Sequence, residues 1–159
     1  MKKKQILLSG VNSFVGQSIV NKLDSFDLYR VTQNNKNLLF YNLQSGEEIH
    51  DLSFFDNLTF LHLATYFSKE NKDRDSIKYA NVDYGIKILD SLNLKSLEKI
   101  IYINTMYNFY VDSSFKELYY TETKNIFSDY LRDLKNNHYF DLKEVFLDNT
   151  FGPGDSRNK

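Results

Sequence analysis

The stretch Ile6-Leu7-Leu8-Ser9-Gly10-Val11-Asn12-Ser13-Phe14-Val15-Gly16 constrains this chain more than any other. A short apolar run ends in one glycine and leaves through a second into a helix-like segment. A strand that turns sharply into a helix needs a residue tolerant of unusual dihedrals at the turn. It also needs bare backbone where helix and strand lie close. The first amides of the helix are unpaired and sit at the positive end of its dipole, which suits a phosphate. The dinucleotide-binding fingerprint is built in this way. Only Gly10 and Gly16 of it are present, and Ser13 stands where a middle glycine is usual. An ordinary strand–turn–helix has the same appearance over eleven residues, so the rest of the chain must decide.

With 159 residues the chain has the length of one domain, and 42% hydrophobic residues suffice for a core. Its 20 basic and 21 acidic side chains leave no field that would attract nucleic acid. The absence of cysteine excludes disulfides, zinc–thiolate sites and thiol catalysis. His50, His62 and His138 are scattered and form no metal-ligand pattern. No apolar run approaches a membrane span, and the run after Lys2-Lys3-Lys4 is too short for a secretory signal. A cytoplasmic protein is expected, with no nucleic-acid or membrane partner and no metal.

Hydrophobic periodicity predicts strands at Gln5–Ser9, Leu28–Thr32, Leu38–Tyr41, Leu58–Ala64, Lys99–Ile103 and Leu142–Leu147. Helices are predicted at Phe14–Leu23, Asn71–Leu92 and from Ser113 or Ser114 to about Leu134, with a weak helical turn before Leu52. Gln33–Asn37 reads as a polar loop. Alternating strands and helices imply a single α/β domain over 1–159: a doubly wound parallel sheet with helices on both faces. Ligands in such sheets lie beyond the carboxyl ends of the strands. That rule selects Gly10–Gly16, Ala64–Phe67, Asn104–Tyr107 and Asp148–Asp155.

Tyr120 and Lys124 are four residues apart and share a helix face, which Phe127 and Leu131 continue. A lysine on a core-facing stripe is rare unless its charge is used. An ammonium beside a tyrosine hydroxyl favours the phenolate and so prepares the tyrosine for proton transfer. Thr105 ends a strand where a ligand would lie; its hydroxyl can hold a substrate oxygen or bond local backbone. Asn81, on the inner face of the long helix, can bond a cofactor, a loop, or a buried neighbour. His62 reads as a core histidine within a strand.

Taken together these stretches resemble the extended short-chain dehydrogenase/reductase family, the NAD(P)-dependent epimerase/dehydratases acting on nucleotide sugars. Ser9–Gly16 is similar to the family's Thr-Gly-x-x-Gly-Phe-Ile-Gly, and Leu61-His62-Leu63-Ala64 to its His-Leu-Ala. Asn81-Val82 with Gly85 resembles its Asn-Val-x-Gly helix, and Tyr102-Ile103-Asn104-Thr105 its Ser-Ser/Thr strand end. Tyr120 to Lys124 fits its Tyr-x-x-x-Lys pair, and Asn149-Thr150-Phe151-Gly152-Pro153-Gly154 its Asn-Val-Tyr-Gly-Pro-Gly. The resemblance implies a Rossmann-like fold and a site. Gly10, Ser13, Phe14, Val15 and Gly16 would hold the pyrophosphate. Leu63, Ala64 and Thr65 would line the cofactor, largely through backbone, with Asn81 among the cofactor residues. Thr105, Tyr120 and Lys124 would be catalytic, Lys124 also holding the nicotinamide ribose, and Thr105 and Asn149 would meet a nucleotide-sugar substrate. Within the family the pattern is most similar to the reductases that make dideoxyhexoses on a CDP carrier, of the abequose and paratose synthase type. The implied reaction is hydride transfer to a 4-keto sugar, with Tyr120 as acid/base.

No acid ends the second predicted strand, while Arg30 and Lys36 are nearby, which tilts the expectation from NAD toward NADP. Ser13, Asp148 and Asn42 depart from the family pattern. Family members also continue into a substrate domain that has no counterpart before Lys159. The leading expectation is an NAD(P)-dependent nucleotide-sugar reductase or epimerase, or the cofactor-binding half of one, with truncation a route to inactivity; the alternatives are a catalytically silent NAD(P)-binding or interaction module and an inert remnant. A homodimer through the helices at Asn71–Leu92 and Ser113–Leu134 is expected by analogy.

Overall fold

A computed structural model describes residues 3–35, 37–68, 73–111 and 113–148. The five residues of β1 (Gln5–Ser9) are all buried, as a strand covered on both faces requires. It pairs in parallel with β2 (Asp27–Asn34) on one side and β5 (Leu58–His62) on the other. Beyond β5 lie β6 (Leu97–Thr105) and β7 (Asp141–Leu147), both parallel. The chain thus winds outward from β1 in both directions, and the crevice at the carboxyl ends of β1 and β5 is the switch point where such sheets take ligands.

The far edge departs from the expected all-parallel sheet. β3 (Asn37–Asn42) runs antiparallel to β2, and β4 (Glu48–Ile49) antiparallel to β3. Asn35 takes φ 45°, a left-handed conformation that asparagine tolerates, so the polar stretch after β2 is a tight reversal. The next reversal is built by Asn42, whose Oδ1 accepts the backbone amides of Gln44 and Ser45, both at 2.9 Å. A strand therefore stands where a helical turn is predicted. Asn42, singled out as a departure near an adenine site, spends its side chain on that turn.

Alternation along β1 divides the core. Ile6 and Leu8 face one side, where α1 (Phe14–Val20) lays Val15, Ile19 and Val20 over them. Leu7 faces the other, where α3 (Tyr84–Ser91) contributes Ile88 and Leu89, and α5 (Tyr119–Asn137) contributes Phe127 and Leu131. The predicted helix to Leu134 is two pieces, α4 (Ser113–Lys116) and α5. The long helix begins, within the described residues, as α2 (Arg74–Lys78) and passes through a π-helical turn at Tyr79–Asp83 before α3; the predicted start at Asn71 lies outside the described residues. The π turn adds one residue to the winding and places Asn81 in the interior, 0% exposed. No helix among the described residues is long and apolar enough to cross a membrane.

Candidate active site

The site begins at the end of β1, where Gly10 has φ +74°. A Cβ there would lie 2.6 Å from the Ala64 amide nitrogen and 2.7 Å from the Leu63 carbonyl carbon. A Cβ on Gly16 would lie 2.4 Å from the Gly10 carbonyl oxygen. Both glycines therefore permit close backbone packing, Gly10 between the ends of β1 and β5 and Gly16 between α1 and its own turn. Ser13 is the N-cap of α1: its Oγ accepts the Gly16 amide at 3.0 Å. The departure from a middle glycine thus places a side-chain oxygen on an amide at the mouth of the turn.

Two adjoining clefts run along the carboxyl ends of the strands. The first, of about 230 Å³, is bounded by Ser13, Phe14 and Val15 at one end and by Thr105, Tyr120 and Asp148 at the other. The second, of about 280 Å³, shares Ser13, Leu63 and Thr65 with it and continues past Gly10 and Ala64 to Gln33 at the end of β2. Gln33 receives the Tyr79 hydroxyl there, and Arg30 lies over the Tyr41 ring at 4.9 Å. Lys36, the other cation expected near the second strand's end, lies outside the described residues.

The chemistry-bearing residues converge in the first cleft. Thr105 is 4% exposed, and its hydroxyl accepts the Tyr107 amide at 3.3 Å. Tyr120 lines the same cleft as Thr65 and Thr105. Burial pushes the Tyr120 phenol above the usual tyrosine range; the nearby Thr65 hydroxyl opposes this, Tyr107 adds to it, and the Thr105 hydroxyl opposes it. The expected pairing with Lys124 takes a different form. Its ammonium lies over the Tyr102 ring at 4.4 Å. Lys124 is 2% exposed, and burial lowers its pKa from 10.5 to about 7. His62 shares this interior: its Nδ1 is 2.7 Å from Ser9 Oγ, and burial, helped by Lys124, lowers its pKa to about 3. His62 is a neutral core histidine, as its place in the strand implies.

Asn81 is a positioning residue for the loop after β5 and does not face the cofactor cleft. Its Oδ1 accepts the Thr65 hydroxyl at 3.0 Å and the Tyr66 amide at 2.8 Å. Its Nδ2 donates to the Tyr66 carbonyl and to Thr123 Oγ1, both at 3.1 Å. These four bonds fill the capacity of the amide; of the partners expected for it, the loop and a buried neighbour are the ones it meets. Asn149, expected at the substrate, lies outside the described residues, as does the Gly152-Pro153-Gly154 motif.

Sequence reasoning missed the aromatic wall of the cleft. Phe67 meets Tyr120 edge-on, with ring centres 5.0 Å apart, and Tyr107 packs against Phe67, Tyr120 and Phe115. Asp148, another departure from the family pattern, accepts the Tyr110 hydroxyl and so ties the end of β7 to the segment after β6.

The fold finds counterparts among solved structures. The UDP-N-acetylglucosamine 4-epimerase from Methanobrevibacter ruminantium M1, solved with UDP-N-acetylmuramic acid, superposes with a TM-score of 0.70 at 18% identity. The match covers 96% of this chain and 57% of the epimerase. RMD from Pseudomonas aeruginosa, solved with NADPH, gives 0.67 at 15% identity over 96% of this chain and 57% of its own. The chain has the fold of the extended short-chain dehydrogenase/reductases. Among curated proteins, the CDP-abequose synthase of Salmonella typhimurium is 27% identical over 174 residues, covering 99% of this chain and 56% of the synthase. The chain therefore spans little more than half the length of these relatives. No protein-family model matches it.

Proposed function

We propose that the chain is the nicotinamide-cofactor-binding part of a nucleotide-sugar oxidoreductase or epimerase, acting on a 4-keto deoxysugar carried by a nucleotide. The observation that carries this reading is the placing of Tyr120 and Thr105 together in the wall of one cleft, which adjoins a second that runs past Gly10 to Gln33. Gly10 and the first turn of α1 would hold the pyrophosphate, and the second cleft the adenosine, with NADP favoured because no carboxylate ends β2. Bound nicotinamide supplies the hydride. Thr105 and Tyr120 would hold the sugar's carbonyl oxygen between them, and Tyr120 would give its phenolic proton to that oxygen as it becomes an alkoxide. Lys124, one turn along α5, would face the nicotinamide ribose. The 27% identity to CDP-abequose synthase supports the substrate class.

A second reading, a silent cofactor-binding module, is favoured by the raised pKa of Tyr120 and by the openness of the cleft, in which Thr65 and Phe67 remain exposed. Calorimetry with NAD and NADP and turnover of a 4-keto sugar nucleotide separate the two. The expected result is cofactor binding that Tyr120→Phe leaves within about threefold, and turnover that it lowers by roughly 10²- to 10⁴-fold. Equal background rates in parent and variant would leave only the silent module. No heat with either cofactor would remove both readings.

Ser13 offers a second test of cofactor placement. Ser13→Gly is expected to tighten cofactor binding about three- to tenfold, because it returns the Gly16 amide to an incoming phosphate oxygen. The lost cap should cost only a few tenths of a kcal/mol of stability. Weaker binding by the glycine variant would show that the serine hydroxyl itself holds the cofactor.

A further inference from the structure

We propose that Glu144 is a positioning residue for Thr105: its carboxylate orients the side-chain amide of Asn104, and that amide holds the backbone of Thr105. The argument starts at the end of β6. The Thr105 backbone amide can only donate, so the Asn104 atom that it reaches at 2.8 Å must be the oxygen. The Asn104 nitrogen is thereby turned toward β7, where it donates to Glu144 Oε2 at 3.2 Å. Asn104 is 3% exposed, so water cannot replace either partner. An amide facing the other way would set its NH2 against the Thr105 amide and its oxygen against the carboxylate. Both contacts would then be repulsive, and the carboxylate selects one of the two orientations.

Glu144 is itself held from α5. Ser128, buried on that helix, lies with its Oγ 2.5 Å from the same Oε2. Arg132, one turn further on, gives Nε at 2.9 Å and Nη2 at 2.7 Å to Oε1. Its Nη1 goes to Asp129 at 3.0 Å, which steadies the guanidinium. Three of the four contacts of Glu144 come from nitrogens that can only donate, and they occupy both of its oxygens. Only a carboxylate accepts on both, and bonds to an ionised oxygen are the stronger kind.

The hub joins the two elements that carry Thr105 and Tyr120. Thr105 ends β6, and Tyr120 lies two turns before Ser128 on α5. Between them the Tyr102 hydroxyl of β6 donates to the Lys124 carbonyl of α5 at 3.1 Å. The helix is thus fastened to β6 at two successive turns, and the fastening through Glu144 is the one that reaches Thr105.

Glu144→Gln cannot serve all four contacts. The charged guanidinium, with two bonds, claims the remaining oxygen, so the new NH2 faces Asn104. The Asn104 amide must then turn over, and the Thr105 amide loses its acceptor. Adding Asn104→Asp repairs the polarity, because the introduced aspartate accepts from the new NH2 on one oxygen and from Thr105 on the other.

The proposal rests on the reading of Thr105 as a substrate-holding hydroxyl, but its test needs no turnover. Amide hydrogen exchange is followed by NMR in the parent, in Glu144→Gln and in Glu144→Gln/Asn104→Asp. The quantity read is the exchange rate of Thr105 relative to that of Ile100, buried within the same strand, so that a change in overall stability cancels. Glu144→Gln should raise this ratio about three- to tenfold. The paired variant should return it to within about twofold of the parent. A single variant with the parent's ratio, or a paired variant displaced as far as the single one, would overturn the proposal. Should Glu144→Gln not fold, Asn104→Asp takes its place. Alone it sets two carboxylates against each other, and it should be less stable in urea than the paired variant; equal or greater stability would count against the proposal. A changed ratio in a parent without turnover sustains the role of Glu144 and removes the enzymatic reading. Turnover of a 4-keto sugar nucleotide with an unchanged ratio does the reverse.

Discussion

Lys124→Met is expected to stabilise the protein by several kcal/mol at neutral pH, and the gain should vanish as the pH approaches 10.5. The lysine is 2% exposed, with its ammonium against the Tyr102 ring and within electrostatic reach of His62. In the unfolded chain it titrates at about 10.5, and in the folded protein at about 7. Between these values the unfolded state holds a proton that the folded state lacks, so stability rises with pH across this window. Below about 7 both states are protonated and the full penalty is present. Above 10.5 both are neutral and the penalty is gone. The interval corresponds to on the order of 5 kcal/mol. Methionine fills the same space without charge. His62 adds a second window: its pKa falls from 6.5 to about 3, so stability should also decline as the pH drops from about 6.5 toward 3. Urea denaturation of parent and variant between pH 3 and 10.5 checks both windows. A variant less stable at pH 7, or a gain independent of pH, would show that the ammonium is well paired in the folded state.

Such a penalty is tolerable only where the charge is used or the protein is stable enough to carry it. The Tyr120–Lys124 spacing was legible in the sequence because four residues is one helical turn, and the structure buries Lys124, Phe127 and Leu131 on one stripe of α5. What spacing could not convey is where the ammonium goes once buried. It turns toward Tyr102, 4.4 Å from the centre of that ring. Thr65 was read for its backbone, because nothing local marks its side-chain bond to Asn81. Asn81 shows the same limit. Its inner position was readable from helical period, but a π turn of five residues leaves no periodic trace until the helix beyond it has shifted. The direction of β3 was hidden for a related reason. A polar loop can lead into a crossover or a reversal, and the choice fell to the left-handed conformation of Asn35. The end of β1 was the most legible part, since strand, turn and helix follow there within eleven residues and every contact that needs a missing Cβ is close by.

That end of β1 yields the other large effect. Gly10→Ala is expected to destabilise the protein by more than about 3 kcal/mol, enough to unfold much of a marginally stable domain. Two costs are combined. An L-residue at φ +74° pays roughly 1–2 kcal/mol for the left-handed conformation. The added Cβ also lies 2.6 Å from the Ala64 nitrogen and 2.9 Å from its Cα, backbone atoms held by the β1–β5 pairing. Gly46 separates the costs, because it has φ +76° with nothing within 4 Å of its missing Cβ. Gly46→Ala should lose only the conformational part, about 1–2 kcal/mol. The difference between the two variants, read from urea midpoints at a common pH, measures the closeness of β1 to the loop after β5. If relief of that contact moves the two strand ends apart, the clefts on either side of Gly10 should widen together, and any cofactor affinity should fall with stability. Equal losses at Gly10 and Gly46 would mean that the ends of β1 and β5 are free to separate, and the floor shared by the two clefts would then not be rigid.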